Sequence, residues 1–204
     1  MTLDPLWDQT LTPSYPGWMG DEQGQVYEQE VAERFVTAMS ALAASVFVVA
    51  AASPLSGRTG ITATAVCSLS TQPPQVVACV NRTTSIARVL NDTGWFSVNL
   101  LSADHEELAG TFAGRSGLSG DDRFDDALWS THVTGTPVLR AAAATCVCHV
   151  SASLQQATHL IVVGAVLDVL IAAEPPPLPL IYHNRRFTTL QSATPLPATD
   201  SESR

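Results

Sequence analysis

Three groups of residues in this chain carry side chains that could do chemistry. The first is a ladder of small hydroxyls. From Ile61 the sequence alternates with period two, with Ile61, Ala63, Ala65, Cys67 and Leu69 on one side. Thr62, Thr64, Ser68 and Ser70 fall on the other, and Val66 is the single apolar interruption. Alternate side chains of a strand point to opposite faces, so a β-strand with an apolar back and a hydroxyl-bearing front is predicted. Such a front suits a ligand that is flat at one end and anionic at the other. It equally describes a strand surface open to solvent.

The second group, Cys146-Val147-Cys148-His149, contains metal-ligating types. In a strand, however, both cysteines share one face while His149 takes the other, so the three cannot close one tetrahedral site. They read as core cysteines, and no metal site is expected. In the third group, Asp121-Asp122 and Asp125-Asp126 flank Arg123 within a glycine-rich stretch. The glycine and glutamate positions of a calcium loop are missing, and the segment reads as a solvated acidic loop. His105-Glu106-Glu107 lacks the second histidine of HExxH and reads as an exposed helix start. His159 opens a strongly apolar run, where a histidine can be no more than a satisfied strand-end residue. Neither GxGxxG nor GxSxG occurs.

Charge narrows the chemistry further. The net charge is −9, and all ten basic residues are arginine. An acidic chain without basic patches is a poor fit to phosphate backbones, so no nucleic-acid partner is expected. Without lysine there is neither Schiff-base chemistry nor a Walker A loop. Any anion must be held by arginine, hydroxyls and backbone N–H groups. A hydrophobic content of 46% against 14% charged residues over 204 positions predicts one globular domain with a sizeable core. No apolar run approaches the length of a membrane span, and no signal peptide is visible at the N-terminus. The expected compartment is therefore the cytoplasm. Cys67, Cys79, Cys146 and Cys148 all fall in apolar strand-like runs and are expected as buried free thiols.

The elements that must position these groups follow from periodicity and punctuation. Residues 1–26, with Pro5, Pro13 and Pro16 and no periodicity, read as an extended arm, 27–191 as the folded domain, and 192–204 as a polar tail. Tyr27, Val31, Phe35, Ala38, Met39 and Leu42 recur at helical spacing, predicting an amphipathic helix. Val46 to Ala51 reads as a strand that forms a hairpin with the hydroxyl strand. Pro73 and Pro74 stop that strand, and Val76 to Val80 is a short apolar run that suits a strand buried on both faces. Thr83 or Thr84 can cap a helix through Leu90, closed by Gly94. Trp95 to Leu101 is the next strand, and Ser102 or Asp104 can start a helix through Phe112. Further strands are expected at Val138-Leu139, Thr145 to Val150 and His159 to Ile171. Pro175 to Pro177 forms a connector, and Leu180 to His183 pairs with Phe187 to Leu190 across Asn184-Arg185. Many short strands, few helices and no β-α-β rhythm predict a mainly β fold, an antiparallel barrel.

In that order the elements resemble the flavin reductase-like family, in particular the reductase components of two-component 4-hydroxyphenylacetate 3-monooxygenases. The resemblance rests on Gly60 to Ala65, on Ser68-Leu69-Ser70 before Pro73-Pro74, and on Val80-Asn81 with Ser85. It continues through Phe96 to Leu101 ahead of Leu108-Ala109 and Phe112-Ala113-Gly114. Phe124 and Trp129 followed by Gly135 to Leu139, Thr158-His159, and Pro179 to Tyr182 with Arg186-Phe187 complete it. It spans about residues 35–190.

What it implies is a Greek-key split β-barrel, usually a homodimer, binding FMN or FAD and taking hydride from NADH or NADPH. Thr62, Ala63, Thr64 and Ala65 would lie along the isoalloxazine and ribityl. Ser68, Ser70, Asn81, Arg82 and Ser85 would surround the phosphate end, and Leu69 and Phe112 complete the implied flavin set. His159, the implied catalytic residue, would lie on the nicotinamide side with Tyr182 and Arg186. Reduced flavin would pass to a separate oxygenase. Ala157 and Ala165 depart from the family's glycine and frequent acidic residue. They motivate an alternative, a flavin-binding barrel in a biosynthetic pathway that no longer reduces free flavin.

Overall fold

The computed structural model describes residues 21–172 and 177–190, and for 21–28 the backbone alone. Most of the expected arm, the C-terminal tail, and Pro175 and Pro176 of the connector lie outside these residues. Helix α1 spans Asp21–Ser40, starting before Tyr27. The strands that follow are β1 (Ala44–Ser45), β2 (Phe47–Ser53), β3 (Gly57–Ala63), β4 (Val66–Thr71) and β5 (Pro74–Asn81). Helix α2 (Ser85–Thr93) leads to β6 (Trp95–Leu100), and α3 (Glu106–Phe112) follows a short 3-10 turn. The chain closes with β7 (Trp129–Thr131), β8 (Pro137–Leu139), β9 (Ala144–Gln156), β10 (His159–Ile171), β11 (Leu180–His183) and β12 (Arg186–Thr189).

Seven of these strands form one antiparallel sheet in the order β3-β2-β6-β9-β10-β5-β4. Strands β3 and β4 occupy its two opposite edges, yet only Thr64 and Ala65 separate them in the chain. Six inter-strand spacings of about 4.8 Å would put those edges about 29 Å apart in a flat sheet. Three consecutive Cα–Cα steps reach at most about 11 Å. The sheet must therefore curl until its edges meet, which makes the fold a split barrel. The expected single strand from Ile61 to Ser70 is accordingly two strands with a corner between them. Alternation holds only as far as Ala63, which is buried. Beyond the corner, β4 is a bulged edge strand, with its pairing to β5 shifted between Ser68 and Ser70 and Leu69 exposed. The second strand of the pair, β5, is an inner strand of the sheet but is not buried on both faces, since only Ala78 and Val80, on one face, are buried.

Strand β2 divides the interior in two. Val49 and Ala51 face a core with Ala78, Val80, Ile86, Val89, Leu90, Phe96 and Leu160. Val46, Val48 and Ala50 face a second with Leu101, Phe112, Phe124, Trp129 and Leu180. Successive residues of one strand thus fill both cores, which is why its sequence reads as a continuous apolar run. Buried Asn99 fastens the neighbouring elements. Its amide nitrogen donates to Val48 O and Ser97 Oγ, and its Oδ1 accepts from Leu139 N and Thr145 Oγ1. Both polar atoms of the Asn99 amide are thus matched, as burial demands.

Local signals match closely elsewhere. Thr84 is the N-cap of α2, and Gly94 ends it in the left-handed conformation. Asn184 and Arg185, both at positive φ, turn β11 into β12. Three expectations change. His105 is buried rather than exposed, and its Nδ1 lies 2.9 Å from Ser102 Oγ in a capping box. Burial holds its pKa below the ordinary histidine value. Cys67 is exposed on β4, whereas Cys148 is fully buried and its thiol is pushed up to about 12. Finally, the apolar stripe of α1 meets no core. Phe35 is 60% exposed, and Val36, Met39 and Leu42 are exposed with it.

Gly164 on β10 sits directly beneath the Phe96 ring and beside Cys148, where an added Cβ would fall inside the ring's van der Waals shell. Gly164→Ala is expected to destabilise the fold by about 1–3 kcal/mol through overpacking. Urea unfolding measures this, and an unchanged midpoint would contradict the packing described.

Candidate active site

The barrel's closure creates the cleft. The corner at Thr64-Ala65 carries one wall from β3 across the sheet edges to β5, and Cys79 N donates to Ala65 O at 2.9 Å. A cavity of about 500 Å³ opens here, within the range typical of small-molecule sites. Ile61, Thr62, Ala63, Thr64 and Ala65 form one wall, and Cys79, Asn81, Thr84 and His159 another. Phe112, Ala113, Gly114 and Arg123 close the third side. Small side chains along the first wall leave the backbone open to a flat group.

His159 and Asn81 meet because β10 pairs with β5 in a register that sets them opposite each other. Thr158 Oγ1 lies 2.8 Å from His159 Nδ1, leaving Nε2 as the ring's other polar atom. The turn before them runs through Ala157 at φ +48°. That left-handed conformation costs an alanine about 1 kcal/mol and a glycine nothing. Ala157 therefore keeps the backbone geometry that a glycine would supply. Ala165, further along β10, pairs with His149 on one side and Gln75 on the other.

The third side is held by a charge cluster in the acidic loop, whose aspartates are solvent-exposed as expected. Arg58 on β3 donates from Nε to Asp121 Oδ1 at 2.7 Å, from Nη1 to Asp126 Oδ1 at 2.6 Å, and from Nη2 to Asp121 Oδ2 at 3.0 Å. Its guanidinium also stacks on Phe124, 5.2 Å from the ring centroid. The Arg58 hydrogen bonds hold the Asp121 carboxyl below its ordinary pKa. Phe124 packs edge-on against both Phe112 and Trp129, and the Phe112 and Trp129 rings are tilted against each other, with centroids 4.9–5.4 Å apart. Phe112 in turn lies against Gly60, where a Cβ would be 3.0 Å from the ring.

Thr62, Ala63, Thr64, Ala65, Asn81, Phe112 and His159 are thus brought to one cleft. The Thr62 hydroxyl is engaged with Ala109 O of α3 at 2.7 Å. Ser68, Leu69 and Ser70 lie on β4, outside this lining, and Ser70 Oγ accepts from Gln72 N. Arg82 lines a neighbouring cleft of about 330 Å³ with Arg88 and Asn91, joined to the first through Thr84. The Ser85 hydroxyl is bonded to Thr59. Tyr182 packs on Phe187 in the β11–β12 hairpin, with Arg186 exposed beside it. Arg123, Thr84, Cys79 and Gly114 line the cleft without having been singled out. The one available signal was the single arginine amid four aspartates.

Residues 39–191 match the family model described as flavin reductase like domain. The chain belongs to that family. Among flavin reductase-like proteins, it is 39% identical over 161 residues to FMN reductase (NADH) RutF of Pseudomonas syringae, covering 79% of this chain and 88% of that one. It is 37% identical over 163 residues to the 4-hydroxyphenylacetate 3-monooxygenase reductase component of Salmonella typhi, covering 80% and 93%. Its fold superposes on BorF, the flavin reductase component of a bacterial two-component tryptophan halogenase, with a TM-score of 0.72 at 27% identity. That superposition covers 79% of this chain and 99% of BorF.

The Arg58 cluster gives stability a definite pH dependence. A carboxyl whose folded pKa is depressed stabilises the fold above its unfolded pKa, and that contribution is lost as pH falls through the folded value. The wild type is therefore expected to exceed Asp121→Asn in stability near neutral pH. The gap should close as pH falls through and below the ordinary carboxylate range. Denaturant midpoints of both proteins between pH 7 and pH 3 measure it, and a gap independent of pH would exclude the ion pair as its source.

Proposed function

We propose that the cleft holds a flavin and that the chain is an NAD(P)H:flavin oxidoreductase supplying reduced FMN or FAD to a separate flavin-dependent monooxygenase. One observation carries the reading: the barrel's closing corner presents small side chains along one wall while His159 and Asn81 face it from the other. The donor set fits the group. Ala63, Thr64 and Ala65 admit a planar ring against the backbone, and Arg123 supplies positive charge for an anionic end. When bound, a flavin accepts hydride from a reduced nicotinamide.

The protein's own task is alignment and exclusion of water, which requires no acid–base pair. Thr62 to Ala65 form the bed, and the Thr62 bond to Ala109 O fixes it against α3. Asn81 and Thr84 offer polar contacts at the far wall. Ser68, Leu69 and Ser70, with Arg82 at the β5–α2 corner and Ser85 beyond it, form the proposed outer margin toward the phosphate end. His159, held by Thr158, is proposed on the nicotinamide side. Tyr182 and Arg186 are assigned there from the family resemblance. The alternative of a barrel that binds but does not reduce flavin rests on Ala157 and Ala165, and of these two positions Ala157 keeps the left-handed turn. The four free cysteines suit the cytoplasm as the proposed compartment.

We further propose that the protein is a homodimer. The exposed stripe of α1 (Phe35, Val36, Met39) with Leu42 just beyond it, and the exposed end of β10 (Leu167, Val169, Ile171), are apolar surface of the kind a second copy covers. Wild type is expected to sediment as a dimer and Phe35→Glu/Met39→Glu as a monomer. A monomeric wild type would overturn this assignment.

Activity is tested anaerobically by loss of the reduced nicotinamide's near-ultraviolet absorbance with each pairing of NADH or NADPH with FMN or FAD. A rate well above the flavin-only control is expected with at least one pairing. His159→Gln should raise KM for the nicotinamide by about tenfold, the scale of one lost hydrogen bond, with flavin affinity kept. No rate with any pairing would sink the proposal.

A further inference from the structure

The two arginines beside the third wall are in opposite states. Arg58 is saturated: its fork meets two carboxylates, and Nη2 also reaches Phe124 O at 3.4 Å. Arg123 lies between the same anchors, two residues after Asp121 and three before Asp126, and its side chain enters the cleft. Its guanidinium lies over Phe112, 5.4 Å from the centroid. Its Nε is buried with no hydrogen-bond partner. Among the described residues no carboxylate comes within 4.0 Å of it. Burial lowers its pKa from the ordinary arginine value, although a guanidinium stays charged at neutral pH.

A partly desolvated cation without a counterion is costly in isolation, and this one is built in at some expense. Asp121 and Asp126 are spent on Arg58, not on Arg123, although both flank it. The arrangement fixes the loop while leaving the charge in the cleft unneutralised. A guanidinium fork matches a phosphate's oxygens geometrically and by charge.

Resting on the flavin reading above, we propose that Arg123 is a phosphate-gripping residue of the cleft and that Arg58 is the positioning residue that holds it there. Its ligand is a phosphate of a bound nucleotide, either the flavin's or the nicotinamide's. The Phe112 ring supports the guanidinium from below, and the Arg58 bridges to Asp121 and Asp126 keep its loop from withdrawing.

The test compares ligands with and without phosphate on the purified full chain. Dissociation constants for FMN and riboflavin are measured by fluorescence titration for wild type, Arg123→Gln, Arg123→Ala and Arg123→Lys. KM is measured in parallel for NADH and for the phosphate-free N-benzyl-dihydronicotinamide. If the flavin's phosphate is the ligand, Arg123→Gln weakens FMN by about tenfold or more while riboflavin changes less than about twofold. If the phosphate is the nicotinamide's, the same selectivity appears between NADH and its phosphate-free analogue. Arg123→Lys should fall between wild type and Arg123→Gln in whichever arm responds. Arg58→Gln should show the same selectivity in weaker form, which a general loss of stability would not produce. Equal losses within both pairs, or none, would overturn the role of Arg123. A wild type that binds neither FMN nor riboflavin would instead overturn the flavin reading itself. Should Arg123→Gln fail to fold, Arg123→Ala and Arg123→Lys carry the same comparison.

Discussion

Two residues, Thr64 and Ala65, join strands that stand at opposite edges of a seven-stranded sheet. No flat arrangement of those strands satisfies that link, so barrel closure is a covalent requirement as much as a packing preference. The same corner is where the backbone leaves regular pairing and where small side chains meet an open cleft. Fold closure and site formation are therefore one event in this protein. The small residues Thr64 and Ala65 have a direct consequence here, because a bulky side chain at the corner would obstruct both.

Around that corner the interior is organised by β2, whose alternate side chains supply two cores. Asn99 joins β2, β6, β8 and β9 through four hydrogen bonds, fixing the frame on which the second core packs. Phe112 belongs to that core and also lines the cleft. The third side of the cleft is thus anchored in depth, while the β4 edge outside the lining is bulged and exposed. Rigid support lies on the side that carries the cation, and access lies toward the sheet's free edge.

Much of the frame could be read from the chain before any coordinates. Gly94 closes α2 because a left-handed C-cap favours glycine, Thr84 takes the N-cap position while its hydroxyl donates to Asn81 O, and Asn184-Arg185 turn the chain at positive φ. His159 and Asn81 could be placed together only through the family pattern, since their pairing depends on strand register across a long separation. The corner at Thr64-Ala65 left only the apolar interruption at Val66 as its trace, because a barrel corner with small residues leaves no Gly or Pro mark. The acidic loop is solvent-exposed as its composition indicates, but its bridge to Arg58 was not legible because Arg58 lies 63 positions before Asp121. His105 looked like an exposed helix start until its ring was seen capping Ser102. Exposure of the α1 stripe was equally invisible, since periodicity reports that a face is apolar and not what covers it.

The aromatic triad gives the protein an indirect means of adjustment. Trp129 is buried and does not line the cleft, yet its ring bears on both Phe112 and Phe124. Those two rings carry Arg123 and Arg58 on their faces. A change of volume at Trp129 would tilt the platform beneath both guanidinium groups without altering any residue that a ligand touches. Evolutionary drift at this one interior position therefore offers a route to retuned ligand preference, and comparing only cleft-lining residues between relatives would miss it.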